Sequence, residues 1–587
     1  MTKIRTFVVA TWLIGLVAVF TGISHGGKAF AVDFSSGPLP VDQRQVQEIT
    51  PYEPSHPGQV WLMYSVTGAL DQLMGTPPML WSGGKFCHTS SFACLEGVNQ
   101  AQAIGYFPLC DGGQPAPCIL GIEGRTSKES DWTKGVLKST ISWIATAEQK
   151  SGYLSALNSD GWGKPTDIAD GNGWPQQPKS ALYPSADGPM TFQIPGLFNA
   201  GGTDSYLLDS GYVAALDVSN GLVTQVTPQK VHFNVRPFVT GGPDYTPMQA
   251  LRNGTTGSVG MSSDKAYSSS GSSGWAAAFM PGTEIRLQVR LPKLVSGWFA
   301  GRLDAPDISV IPNDDSTNTV TISGGSVEVP TTAVGFPFFS PEAEQIRHDL
   351  NVQADQATIE QFKKIEASGG SGATGVTWTP EYGIDRYYTY WSQLFPSAAK
   401  GKLSVWSVST LAVDRTSPRC FQDNSRLQGI VTSNAMAYQA GLPQFTGSSL
   451  DYSVAGVHYN ADKSLFKGTY RLIMRSDIAR CLYGFSNAPI GGTVSVTSAD
   501  GNEQVAYTNV TDRDGWLTLS AQGFTFSNPT ISAKLTQASS GSPTPSPTPS
   551  SSSSRNSVKT IVCTKGKLYK RVTGVSPKCP AGYKKKA

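Results

Sequence analysis

The chain has 587 residues, of which only 15% are charged, with 62 glycines, 39 prolines and 8 cysteines. That length exceeds one typical domain of about 100–200 residues, and so much Gly and Pro with so few charges fits turn-rich β structure better than helical bundles. The formal net charge of +3 hides an acidic body with a basic tail: Arg555, Lys559, Lys565, Lys567, Lys570, Arg571, Lys578, Lys584, Lys585 and Lys586 close the chain with no acidic residue among them.

At the N-terminus, Lys3 and Arg5 precede the apolar run FVVATWLIGLVAVF, and Ala29 and Ala31 give the small-x-small pattern of a signal-peptidase site. This predicts a signal peptide over 1–31, cleaved after Ala31. The apolar run is shorter than the roughly 20 residues that span a bilayer. No later segment is apolar for long enough, so the mature chain is expected without a transmembrane span and outside the cell, extracellular or surface-associated. Cysteine usage agrees with export. The clustering suggests Cys87–Cys94, Cys110–Cys118, Cys420–Cys481 and Cys563–Cys579 as local pairs out of 105 pairings. Zinc at Cys87 and His88 is disfavoured, because the cysteine spacings are too long and no second histidine follows nearby.

Residues 32–335 read as an N-terminal β-rich region of one or two domains. VHFNVRPFV alternates large and polar residues near its start. TEIRLQVRLPK places Ile285, Leu287, Val289 and Leu291 on one face and Arg286, Gln288 and Arg290 on the other, as in a sheet with one wet face. TVTISGGSVEVP predicts two strands joined at Gly324–Gly325. The loop LCDGGQPAPCIL is expected to be stapled by Cys110 and Cys118. Residues 336–376 predict a helical segment with a Gly/Ser linker, with Ser340 as N-cap and Pro341 in the first turn. It reads equally as an insertion between β units or as a helix packed across a sheet. Residues 377–537 return to short strands punctuated by ADG and RDG turns, which predicts an Ig-like or related β-sandwich. Residues 538–557 form a disordered Ser/Thr/Pro linker that cannot bury a core. Residues 558–587 form a small basic tail, too short for a self-supporting core without a staple. The fold class is therefore mainly β and multidomain, with sandwich-like β domains, a short helical insertion, a linker and a disulfide-stapled tail.

VCTKGKLYKRVTGVSPKCPAGYKKK resembles a short C-terminal module of many exported, uncharacterised actinobacterial proteins, with its KGK step, P-x-CP-x-GY ending and terminal lysines. The body is similar, more loosely, to large secreted actinobacterial proteins of unknown role. Those share the FPLCDGGQPAPCILGI, GWFAGRLDAPDISV and RCLYGFSNAPIGGTVSV…GWLTLSAQGFTFSNPTI blocks. The matches fall on Cys110, Cys118, Gly297, Trp298, Gly301, Arg302, Pro306, Cys481, Trp516, Phe524 and Phe526. The resemblance implies a surface or extracellular location and no particular chemistry.

The chain has no G-x-S-x-G, no H-E-x-x-H and no phosphate-binding Gly-Lys-Ser/Thr loop. The five histidines after residue 31, His56, His88, His232, His348 and His458, are scattered. S-x-x-K occurs at Ser82–Lys85, Ser262–Lys265 and Ser397–Lys400, without the companion motifs of penicillin-recognising enzymes. In NSDGWGKPTDIADGNGWPQQP, Asp160, Asp167, Asp170 and Asn172 are oxygen ligands of the kind calcium takes, although Asp and Gly also make ordinary turns. No cofactor is otherwise expected. Trp162 and Trp174 in that loop, and Tyr387 and Trp391 in EYGIDRYYTYWSQLF, are candidate stacking platforms for sugar rings. The competing reading is that these rings fill cores.

The tail carries the firmest functional expectation. Lys565, Lys567, Lys570, Arg571, Lys584, Lys585 and Lys586 favour an anionic envelope polymer as partner. Nucleic acid is disfavoured by an exported chain with an acidic body. The sequence therefore predicts a secreted cell-surface protein of structural or adhesive character, retained at the cell wall by its tail and a candidate for polysaccharide binding. The alternative is a secreted polysaccharide hydrolase with the same wall-targeting tail.

Overall fold

The computed structural model describes residues 46–48, 60–66, 79–82, 85–87, 97–110, 116–140, 188–240, 265–267, 273–292, 297–349, 356–369, 372–378, 397–411, 413, 416–423, 425–439, 441–497, 507–526, 530–537, 559–565, 568–574, 578–579 and 582–585. The chain divides into two compact units, Met1–Ala538 and Ser539–Ala587. The fold is mainly β, and nineteen of the described strands link into one large sheet in the first unit.

The long strands Ser205–Ser219 and Leu222–Thr240 form an antiparallel pair in that sheet, joined by a turn in which Asn220 and Gly221 take positive φ. That conformation is the one a two-residue hairpin turn requires. Gln100–Tyr106 pairs on the far side of Ser205–Ser219, and Gly401–Thr410 on the far side of Leu222–Thr240. Trp298–Arg302 follows, antiparallel to Gly401–Thr410 and parallel to Gly429–Ser433. Gly468–Arg475, Trp516–Phe524 and Tyr507–Arg513 then continue it, each antiparallel to its neighbour.

Each face of this sheet supports its own core. On one face, Leu208, Tyr212, Phe233, Val235, Trp406 and Phe299 meet Ile122, Ile285, Leu287, Val289 and Ile322 of a five-stranded sheet. The Trp406 indole reaches across this core and donates to the Gly324 carbonyl at 3.0 Å. On the other face, Trp298, Val431, Leu472, Met474, Leu517 and Leu519 meet Tyr452, Val454, Val494, Val496 and Ile531 of a smaller sheet built from Ala437–Tyr438, Leu450–Ala455, Thr530–Gln537 and Ile490–Thr497. Adjacent residues thus feed opposite cores: Trp298 enters the second and Phe299 the first. Strand periodicity of two makes this possible on a sheet covered on both faces.

Several expectations are met at residue level. Ile285, Leu287, Val289 and Leu291 are buried in the strand Glu284–Pro292, while Arg286 and Arg290 face outward. There Arg286 pairs with Glu123 and Arg290 with Asp315, and the guanidinium carbons of Arg125 and Arg286 each lie 4.3 Å from the Trp132 ring centre. The RDG turn closes the hairpin between Tyr507–Arg513 and Trp516–Phe524, with Asp514 and Gly515 at positive φ. Ser340 accepts from the Ala343 amide at 3.2 Å and so caps the helix Pro341–Asp349.

Two expectations are corrected. TVTISGGSVEVP is not a hairpin: Thr317–Gly325 pairs with Glu284–Pro292 and Asp304–Pro312, while Val327–Pro337 pairs with Val60–Val66 and Gly401–Thr410. The glycines serve a crossing between sheets, and a Cβ on Gly324 would stand 2.9 Å from the Asp304 carbonyl oxygen. The division into a region 32–335 and a region 377–537 is also not a division of the fold, because Gly401–Thr410 and Gly429–Ser433 pair with strands of the earlier region. Alternation identifies a strand's faces but not its partners. The helices Pro341–Asp349 and Gln356–Ala367 connect Val327–Pro337 to Gly372–Trp378, which lie on either side of Val60–Val66. Phe362 of the second helix packs edge-to-face on Phe338 at 4.7 Å, so the helical segment is tied to the sheet it connects.

The disulfides Cys110–Cys118 and Cys420–Cys481 are formed. The second joins the short helix Arg419–Phe421 to the helix Ser476–Tyr483, beside the second core. No helix among the described residues is long and apolar enough to cross a membrane.

Candidate functional site

Polar side chains concentrate on the second face of the large sheet, beyond the part that the smaller sheet covers. Cross-strand register places them in two adjacent rows. One row reads Tyr106, Gly211, His232, Ser409, Ala300, and the next reads Asp209, Asn234, Ser407, Arg302. Arg236 follows along the same strand face. Tyr106, Asp209, His232, Asn234, Arg236 and Arg302 are all buried.

The local sequence builds this arrangement by alternation. In VHFNVRPFV, Val231, Phe233 and Val235 enter the first core, and His232, Asn234 and Arg236 take the opposite face. In LLDSGY, Leu208 and Tyr212 enter the core while Asp209 and Gly211 face the polar side. Gly211 is needed here, because a Cβ would collide with the His232 ring. The imidazole therefore lies over the neighbouring strand, with its Nε2 3.5 Å from Asp209 Oδ1. That separation is longer than the roughly 2.6–3.2 Å of an acid–base relay. The arrangement offers carboxylate, carboxamide, imidazole and hydroxyl groups on one buried surface, which is chemistry for holding a polar group.

Arg302 ends the second row and has a different task. Its guanidinium is fully buried and donates to the carbonyls of Ser433 at 3.1 Å, Met436 at 3.2 Å and Ala435. It stacks on the Tyr438 ring at 4.5 Å. Burial pulls its pKa down, opposed by Tyr438 and Tyr452. Arg302 thus clamps the turn after Gly429–Ser433.

The second unit carries the expected basic residues on a three-stranded sheet. Lys559–Lys565 pairs with Leu568–Gly574 on one side and Lys584–Lys585 on the other. Cys563 stands between Lys570 and Lys585 in register. Lys565, Lys570 and Arg571 lie on the hairpin strands, and the side chains of Lys584 and Lys585 are exposed. Cys579 is disulfide-bonded. Lys567 and Lys586 fall outside the described residues.

The glycan candidates Trp162, Trp174, Tyr387 and Trp391, the calcium candidates Asp160, Asp167 and Asp170, Cys94 and the signal region also lie outside the described residues, as does the side chain of Cys87. Among the described residues no group of three His, Cys, Asp or Glu side chains could hold a metal. The S-x-x-K match at Ser82–Lys85 is a hairpin, with Ser82 and Lys85 paired across it. His458 sits apart, its ring centre 6.3 Å from that of Tyr459. Sequence reasoning did not single out the polar rows, although the alternation in VHFNVRPFV carried their signal. No family model, curated protein or solved structure matches the chain.

Proposed function

We propose that the protein is exported and displayed at the cell surface as a structural or adhesive β scaffold, held at the envelope by its basic tail. The observation that carries this reading is the separate C-terminal unit. Its ten basic residues between Arg555 and the end face no acidic residue of their own segment, and Lys584 and Lys585 are exposed on its short third strand. Such a charge density favours an anionic polymer and gives little specificity, as befits retention. The wall-linked phosphate or acidic polysaccharide chains of an envelope fit it better than nucleic acid, because the body before Arg555 is acidic. The disulfides support an oxidising compartment. The hydrolase reading gains less support: glycoside hydrolysis commonly needs a pair of carboxylates, and Asp209 is the one carboxylate on the two polar rows.

The test is retention of the protein on its own cells with and without Val558–Ala587, in low and high salt. The proposal expects loss of retention on truncation and salt-sensitive release of the intact chain. Equal retention of both forms would refute it.

A further inference from the structure

The two polar rows contain buried atoms that the protein leaves unmatched. The Nδ2 and Oδ1 of Asn234 make no hydrogen bond, and the Oδ1 of Asp209 has only the 3.5 Å approach of His232 Nε2, although Asn234 is 1% and Asp209 3% exposed. Roughly 90% or more of buried backbone polar groups, and most buried side-chain ones, are paired in folded proteins, so a carboxamide with both ends unmatched, beside a carboxylate without a hydrogen bond on one oxygen, points to a group supplied from outside the chain.

The surroundings define that group. Asp209 and Asn234 are directly opposite in register, which sets their Cβ atoms about 5 Å apart, within reach of one small ligand. The neighbouring positions on the same face are small, with Gly211, Ser407, Ser409 and Ala300. The space over Gly211 is taken by the His232 ring, so the small side chains that bear on Asn234 are those of Ser407, beside it in the same row, and Ser409 in the next. Charge selects further. Asp209 opposes an anion, and Arg236 on the same face opposes a cation. A carboxamide offers a donor and an acceptor side by side, which suits two adjacent hydroxyls, and a carboxylate accepts from a third. We propose that this face is a binding site for a neutral polyhydroxylated ligand, a sugar unit. The inference stands apart from the basic tail and does not depend on it.

The test uses the full mature chain and glucose, galactose, mannose, arabinose and N-acetylglucosamine as probes, read by thermal melting and native mass spectrometry. A ligand that binds only the folded state raises the melting temperature. At least one sugar should raise it by a few degrees and add its own mass in a one-to-one complex. Both effects should vanish in Asn234→Ala. Ser407→Val keeps Asn234 and Asp209 but puts a bulkier apolar side chain beside Asn234, so it should also abolish binding, and it guards against misfolding of the first variant. If no sugar shifts the melt or adds mass, the orphans are satisfied by water alone and the proposal fails. It fails equally if the shift survives in a folded Ser407→Val protein.

Discussion

Asp512 joins three elements through one carboxylate. It accepts from Ser476 Oγ at 2.5 Å and Arg480 Nη2 at 3.0 Å, at the start and within the helix Ser476–Tyr483, and from the Ile490 amide at 3.1 Å, which opens the next strand. Its side chain is only 10% exposed. Burial alone would raise its pKa; hydrogen bonds from Ser476 and Ile490, with the Arg480 charge, outweigh burial and hold the carboxyl below its ordinary value. Hydrogen bonds to a charged group contribute about 1.5–3 kcal/mol each, against about 1 kcal/mol for neutral ones. Asp512→Asn keeps the shape, loses the charge and turns an amide nitrogen toward a donor, so we expect a loss of about 2 kcal/mol. Read by hydrogen exchange of the Ile490 amide in the full chain at neutral pH, that is roughly 30-fold faster exchange. The pH dependence has a fixed sign. Because the folded pKa lies below the unfolded value of about 3.9, the stabilisation is complete above about pH 4 and disappears as the pH falls through the folded pKa. The gap between wild type and Asp512→Asn should therefore close in acid. A neutral-pH gap under about 0.5 kcal/mol, or a gap that widens on acidification, would refute the assignment.

Other substitutions test the packing. Cys481→Ser opens a bridge between residues 61 apart and should cost about 4 kcal/mol by urea unfolding, whereas Cys118→Ser opens one between residues 8 apart and should cost about 2.5 kcal/mol; the reverse order would contradict the loop-closure argument. Gly301→Ala drives a Cβ into the Ser407 carbonyl, a backbone atom that cannot rotate away, and should sharply reduce the yield of folded protein. Gly121→Ala meets no atom within 4 Å and should stay within about 0.5 kcal/mol of wild type in the same expression and melting assays. Trp132→Ala removes two guanidinium contacts from the outer face of the five-stranded sheet and should cost about 1 kcal/mol in denaturant titration.

Local pattern was legible in the sequence, and long-range pairing was not. The alternation of Ile285, Leu287, Val289 and Leu291 gave a strand and its buried face, and Ser340 gave a helix start, because both are local physics. The course of Thr317–Gly325 and Val327–Pro337 was misread because Gly–Gly between two strands signals a hairpin, while what it permits here is close backbone approach during a crossing. The polar rows escaped for a related reason. His232, Asn234 and Arg236 occupy alternate positions, as they would on a solvent-facing strand, and alternation cannot distinguish water from a buried polar surface.

The residues on which the sequence resemblance rests have structural tasks of their own. A Cβ on Gly297 would stand 2.7 Å from the Arg426 carbonyl oxygen, Trp298 packs edge-to-face on Phe421 at 5.2 Å, and a Cβ on Gly429 would meet the Trp298 ring at 2.5 Å. Arg302 spends its hydrogen bonds on the chain's own carbonyls. GWFAGR is therefore the seam where one strand serves two cores, and its side chains are constrained by packing on both faces. These positions are accounted for by packing and say nothing of a ligand. Specific recognition is better sought on the polar rows of the same sheet, at Ser407 and Ser409 around the unmatched Asn234. There the side chains are smaller and more polar than a core requires, and a change of ligand could be accommodated without disturbing either core.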